Sequence, residues 1–127
     1  MNIIKAELQH IPDLIPLFDG YRMFYKQASD YSNAKIFLTE RIQNNDSVIF
    51  IAYNNEYAVG FTQLYPLFSS VTMQPMYVLN DLFIEDNYRN QGIGNLLIDK
   101  AKQLCKTLNY KGLAIQTEQT NPAQHLY

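Results

Sequence analysis

The chain alternates between two hydrophobic rhythms. From position 10 to 27, Ile11, Leu14, Ile15, Leu17, Phe18, Tyr21, Phe24 and Tyr25 recur at helical spacing. Pro12 suits the first turn of such a helix, whereas Pro16 is expected to kink or divide it. A second helix is predicted over 34–43, with Ile36, Phe37, Leu38 and Ile42 facing inward. The rhythm then changes to strands. SVIFIAY (47–53) and YAVGFTQLY (57–65) flank NNE, a hairpin turn signal. Gly60 reads as a bulge or a packing concession. A loop is expected over 66–76, then a strand over 76–85. A second long helix is predicted over 92–108, with Ile93, Leu97, Ala101, Leu104 and Leu108 in one stripe. A strand over 112–117 and the start of a last helix at Asn121 complete the order. With a short strand over 2–8, the order is β-α-α-β-β-β-α-β-α. This predicts one α/β domain over 1–127, with antiparallel strands first and then a parallel strand–helix–strand crossover.

Bulk properties change this picture little. At 127 residues the chain has room for one core. Its 47% hydrophobic and 17% charged residues are ordinary for a globular domain. A net charge of −2 gives no basic surplus for nucleic-acid binding. No apolar run approaches a membrane span and no secretory leader is visible, so a cytoplasmic location is expected. The single cysteine, Cys105, rules out an internal disulfide or a cysteine metal cluster, and it is expected in the core. No metal is expected. His10 reads as a helix-start residue.

Chemistry concentrates in NDLFIEDNYRNQGIGNLL (80–97), where a strand enters a short loop that opens a helix. The first N–H groups of a helix lack intrahelical acceptors, and the dipole there favours an anion. Gly92 and Gly94 would let a diphosphate approach the main chain, and Arg89 could add charged hydrogen bonds. A tight turn with a solvated arginine is the plain alternative. No Gly-Lys-Ser/Thr follows, so this is not a Walker loop, and the third glycine of a dinucleotide fingerprint is absent. Asn80 and Asp81 are polar residues inside an apolar strand, which is costly unless they meet a partner, solvent or a site. Strand alternation would send them to opposite faces. Tyr21, Phe24 and Tyr25 read first as core and second as the wall of a substrate pocket.

The segment resembles the GNAT superfamily of N-acetyltransferases, whose signature is L-x-V followed by R-x-x-G-x-G/A at a helix start. Leu82-Phe83-Ile84 and Arg89 to Gly94 match it, and Asn121 to Tyr127 (NPAQHLY) resembles the family's N-x-x-A-x-x-L/F-Y motif. YRMFY (21–25) and VLNDLFI (78–84) look closest to the polyamine- and histone-acetylating branch. The resemblance implies acetyl-CoA as cosubstrate and a primary amine of a small molecule or protein as acceptor. It implies that the strand at Leu82, Phe83 and Ile84 binds the pantetheine arm. Amides of Asn90, Gln91, Gly92, Ile93, Gly94 and Asn95, with Arg89, would hold the diphosphate. Asn121 would bind pantetheine from the opposite wall, and Tyr127 would protonate the leaving thiolate. Asn80 stands where the branch has a glutamate implicated in proton removal, which leaves Asp81 for amine recognition or proton relay, or for a structural role. The family continues past this tyrosine with further strands, so the domain is read as lacking them. A homodimer through an open sheet edge is a possible outcome, and a non-catalytic acyl-CoA-binding module is the alternative function.

Overall fold

The computed structural model describes residues 1–116. In chain order its elements are β1 (Asn2–Lys5), α1 (Ile11–Phe24), α2 (Tyr31–Gln43), β2 (Val48–Asn54), β3 (Tyr57–Ser69), β4 (Gln74–Ile84), α3 (Ile93–Thr107) and β5 (Leu113–Ile115). Short 3-10 turns at Leu8–His10 and Asp86–Tyr88 precede α1 and α3. The five strands form one sheet in the order β1-β2-β3-β4-β5. The first three pairings are antiparallel, and β5 joins β4 in parallel after the α3 crossover. The expected mixed α/β sheet is therefore the one found.

Local chemistry explains most of the element ends. The Glu7 N–H donates to His10 Nδ1 at 2.9 Å, and His10 is the N-cap of α1, the helix-start position expected for it. Pro16 does not divide α1, which runs as one helix from Ile11 to Phe24. The missing N–H would have served only Pro12, and both prolines are exposed, so water can take that carbonyl. Helix α2 starts three residues earlier than expected because the Asp30 carboxylate accepts from the Asn33 N–H at 3.1 Å and caps it. Buried Asp19 ties α1 to the loop ahead of α2, accepting from Ser29 Oγ and the Asp30 N–H, both at 2.7 Å.

The sheet is covered on both faces. On one, Leu14, Leu17 and Phe18 of α1 and Ala34 and Leu38 of α2 pack on Ile49, Ile51 and Phe61. On the other, Ile93, Leu97, Ile98 and Ala101 of α3 pack on Val48, Phe50, Val59, Leu64 and Leu79. Cys105 is buried in α3, as expected. Two residues placed inward by the periodicity are exposed: Ile36 lies opposite the Ala34–Leu38 stripe, and Leu108 sits just beyond the end of α3. Among the described residues no helix is long and apolar enough to cross a membrane.

The largest departure from expectation is at 66–76. Instead of a loop, β3 and β4 continue as a paired ribbon from Pro66↔Tyr77 to Ser69↔Gln74, closed by a turn with Met73 at φ 57°. The same pairing carries an irregularity that positions the site. Gln63 faces Asp81 but Leu64 faces Leu79, so Asn80 is an extra residue in a β-bulge. The bulge breaks the strict alternation expected for Asn80 and Asp81.

Phe61 is fully buried and meets the rings of both Phe18 and Tyr21. Phe61→Ala is expected to cost about 3–5 kcal/mol of stability. Urea denaturation followed by far-UV circular dichroism measures it, and a loss under 1 kcal/mol would contradict this account of the core.

Candidate active site

Strand β4 has β3 beside it along its whole length, but β5 accompanies it only from Tyr77 to Leu79. The last described contact on that side is the Gln116 N–H to the Leu79 carbonyl at 3.0 Å. Among the described residues, Leu82, Phe83 and Ile84 therefore have no strand partner on their β5 side. The chain then turns through Asp86–Tyr88 and passes two left-handed residues, Asn90 (φ 62°) and Gly92 (φ 82°), before α3 begins at Ile93. Gly92 is the N-cap, and no side chain caps the helix. The first bond accepted by Gly92 comes from Leu96 at 3.1 Å, so the amides of Ile93, Gly94 and Asn95 precede any intrahelical acceptor. A Cβ placed on Gly92 would meet nothing within 4 Å, so the space in front of this turn is open.

A cavity of about 260 Å³ lies between the end of β4, this helix start and the C-terminal half of α1. It gathers most of the residues expected to hold a cofactor: Leu82, Phe83, Ile84, Arg89, Asn90, Gly92, Ile93, Gly94 and Asn95. Gln91 does not line it, and its side chain instead donates to the Asn87 carbonyl at 3.3 Å. Asn121 and Tyr127 lie outside the described residues. Tyr21, Phe24 and Tyr25 form the opposite wall, and Tyr21 also packs against the core beneath α1, so the pocket reading holds for all three and the core reading for Tyr21. Their helical spacing could not separate the two, because a ring that covers a cavity obeys the same periodicity as one in a core.

Arg89 is already engaged. Its Nε donates to the Ile84 carbonyl at 2.9 Å, and Nη1 pairs with Asp86 Oδ1 at 3.0 Å. The guanidinium stands 5.5 Å from the Phe83 ring centre and 5.8 Å from that of Phe24. The Asp86 side chain is 85% exposed, and such a surface ion pair contributes little, so it does not fix the arginine in place.

Asp81 lies behind the pocket wall and is only 5% exposed. Its Oδ2 accepts from Gln63 Nε2 at 2.6 Å and its Oδ1 from Asn80 Nδ2 at 3.0 Å, while the Tyr21 hydroxyl donates to the Asn80 carbonyl at 3.4 Å, close enough to the carboxylate to feel its charge. Gln63 is itself fully buried, with Oε1 accepting from Ser47 Oγ at 2.8 Å. Burial pushes the Asp81 carboxyl above the usual carboxylate range, against the lowering effect of these three donors. Burial and the adjacent Asp81 charge push the Tyr21 hydroxyl up as well, and burial with the same charge carries Tyr65 up to about 12. The sequence reading did not single out Gln63. Its signal was the polar pair Thr62-Gln63 within an apolar strand, the counterpart of Asn80-Asp81 on the neighbouring one.

Comparison with known proteins agrees with this geometry. The acetyltransferase (GNAT) family profile matches residues 13–127. The "Uncharacterized N-acetyltransferase YhfO" of Bacillus subtilis (strain 168) is 46% identical over 100% of this chain and 86% of its own length. A "Probable acetyltransferase" of Haemophilus influenzae is 41% identical over 80% of this chain and 70% of its own. The crystal structure of a probable acetyltransferase superposes with a TM-score of 0.93 at 35% identity, covering 100% of this chain and 86% of that one.

The left-handed backbone at Gly92 has a measurable consequence. Gly92→Ala meets no atom, yet it should lose about 1–2 kcal/mol through the backbone alone. Gly92→Asn should lose less, since asparagine tolerates this region. Equal stability of all three proteins in guanidinium titrations would show that the turn is not held as described.

Proposed function

The chain belongs to the GNAT family and is an N-acetyltransferase, and on that premise we propose that it moves the acetyl group of acetyl-CoA onto a primary amine of a small molecule or protein. The observation that carries this reading is one cavity joining an unaccompanied stretch of β4 to uncapped amides at the start of α3. The pantetheine arm would lie along Leu82, Phe83 and Ile84 as a substitute strand. The diphosphate would sit on the amides from Asn90 to Asn95, where backbone donors and the helix dipole favour an anion. The Arg89 guanidinium, released from Asp86, is within the same cavity to join it. Asn121 would bind the arm from the other side and Tyr127 would protonate the departing thiolate, roles that rest on the resemblance alone. Asp81 would serve the amine, by recognition or by proton relay.

An alkylammonium must lose a proton before its nitrogen can attack the thioester. The tetrahedral intermediate then carries an oxyanion, for which a strand N–H at the β4 end is a suitable donor. The non-catalytic alternative is not favoured, because both curated relatives bear the names of acetyltransferases. The proposal includes a cytoplasmic location and a homodimer. The dimer is supported by the ribbon tip, where Phe68, Val71 and Met73 are exposed and residues 65–76 carry no charge.

Thiol release with acetyl-CoA and a panel of primary amines tests the donor and acceptor. Turnover with some amine is expected, and acetyl-CoA binding with no turnover across a broad panel would speak for the non-catalytic module. Arg89→Ala should weaken acetyl-CoA binding about tenfold by titration calorimetry, through loss of charge-assisted hydrogen bonds, while leaving the circular dichroism spectrum intact. Sedimentation velocity checks the dimer: a Phe68→Glu variant is expected to be monomeric, and a wild-type protein that stays monomeric at high micromolar concentration would end that part of the proposal.

A further inference from the structure

We infer that Tyr21 and Asp81 form a hydroxyl–carboxylate relay that takes the proton from the incoming ammonium, with Gln63 as the residue that positions it. This rests on the acetyltransferase reading above and names a proton path that Asn80 cannot supply.

The geometry supports this in three steps. Tyr21 is the residue common to the cavity and the buried polar cluster. Its ring lines the cavity, and its hydroxyl donates to the Asn80 carbonyl at 3.4 Å, next to the Asp81 carboxylate, so that a turn of the O–H redirects it to Asp81. The bulge adjoins Leu82, the start of the cavity's strand wall, so the hydroxyl lies at the end away from the amides of α3. The ring is held by edge-on contacts with Phe61 at 5.8 Å and Tyr25 at 5.1 Å.

Asp81 is a buried carboxylate with no cation paired to it among the described residues. Burying such a charge without a counter-charge is expensive, and an apolar residue would make a more stable core. The cluster instead orients it. Gln63 presents its amide nitrogen to Asp81 because its oxygen is taken by Ser47. The groups facing the carboxylate are Tyr21 of α1 and, behind it, Tyr25 at the helix end, Asn80 beside it on β4, and Gln63 and Tyr65 from β3. Arg41 of α2 acts on Tyr65 and pairs with Asp46. A carboxyl raised by burial is a better proton acceptor than an exposed one, and a hydroxyl raised beside it stays protonated and passes a proton on.

The step balances. The ammonium gives one N–H proton to Tyr21 Oη as the hydroxyl proton moves to Asp81 Oδ. The freed lone pair attacks the acetyl carbonyl, forming C–N, and collapse breaks C–S. The second N–H proton lost by the new amide balances the one gained by the thiolate, and Asp81 returns its proton to solvent by the same path.

The test is the pH dependence of kcat/KM for the best amine, measured beside direct acetyl-CoA titration. Wild type should show an acid-side loss of rate. Asp81→Asn should abolish that limb and lower kcat by about a hundredfold or more, with acetyl-CoA affinity within about twofold. Tyr21→Phe removes one oxygen and serves if Asp81→Asn does not fold; it should lower kcat more than it raises KM. Gln63→Leu should shift the acid limb upward, since a donor that favours the carboxylate is lost. A folded Asp81→Asn or Tyr21→Phe protein with an unchanged profile overturns the relay, whereas a wild type that does not bind acetyl-CoA overturns the underlying reading instead.

Discussion

The site depends on a stretch of β4, Leu82 to Ile84, that no described strand joins on its β5 side. A strand inside a sheet satisfies its backbone on both sides, and leaving buried polar groups unpaired is costly. Here β3 supplies one side completely, while β5 accompanies only Tyr77 to Leu79 among the described residues. The rest of β4 must find its partners elsewhere. Placing a helix start directly after that open stretch adds a second unsatisfied set, the first amides of α3. Two such sets in one cavity support the proposed ligand, part peptide-like chain and part anion.

The bulge at Asn80 is the other determinant. One extra residue restores the Leu79 and Leu82 side chains to the α3 face while turning Asp81 toward α1, next to Gln63. Without it, the alternation would carry Leu79 and Asp81 on one face, and the carboxylate would enter the apolar contact with α3. The polar cluster and the cavity wall beside it thus share a single local cause.

Much of the architecture was legible in the residues. The helical spacing of Leu14, Leu17 and Phe18, the β-branched run at 48–53 and the Gly92 turn placed the main elements and their order. The Arg89-to-Gly94 pattern pointed to the proposed anion end, and nine of the residues expected to hold a cofactor line one cavity. Less legible were features decided by pairing across the sheet. The ribbon at 66–76 looked like a loop because Pro66, Ser69, Ser70 and Pro75 are turn formers, yet prolines at a strand edge need not interrupt pairing. Gln63 could not be assigned a partner before the register placed it opposite Asp81. Asn80 was weighed as a lost base, whereas its position at the bulge makes its carbonyl and amide supports for Tyr21 and Asp81.

The contact between Arg89 and the Ile84 carbonyl bears on selectivity among thioesters. The arginine occupies an acceptor that the pantetheine arm would use in the proposed complex, so entry of the thioester would exchange one donor group for another. A nucleotide-bearing thioester gives the displaced guanidinium a new anion to hold. A truncated thioester that ends before the diphosphate evicts the same side chain and offers it nothing in return. On the proposed binding mode, discrimination against short acyl carriers would begin at the strand, well before the phosphates themselves are read.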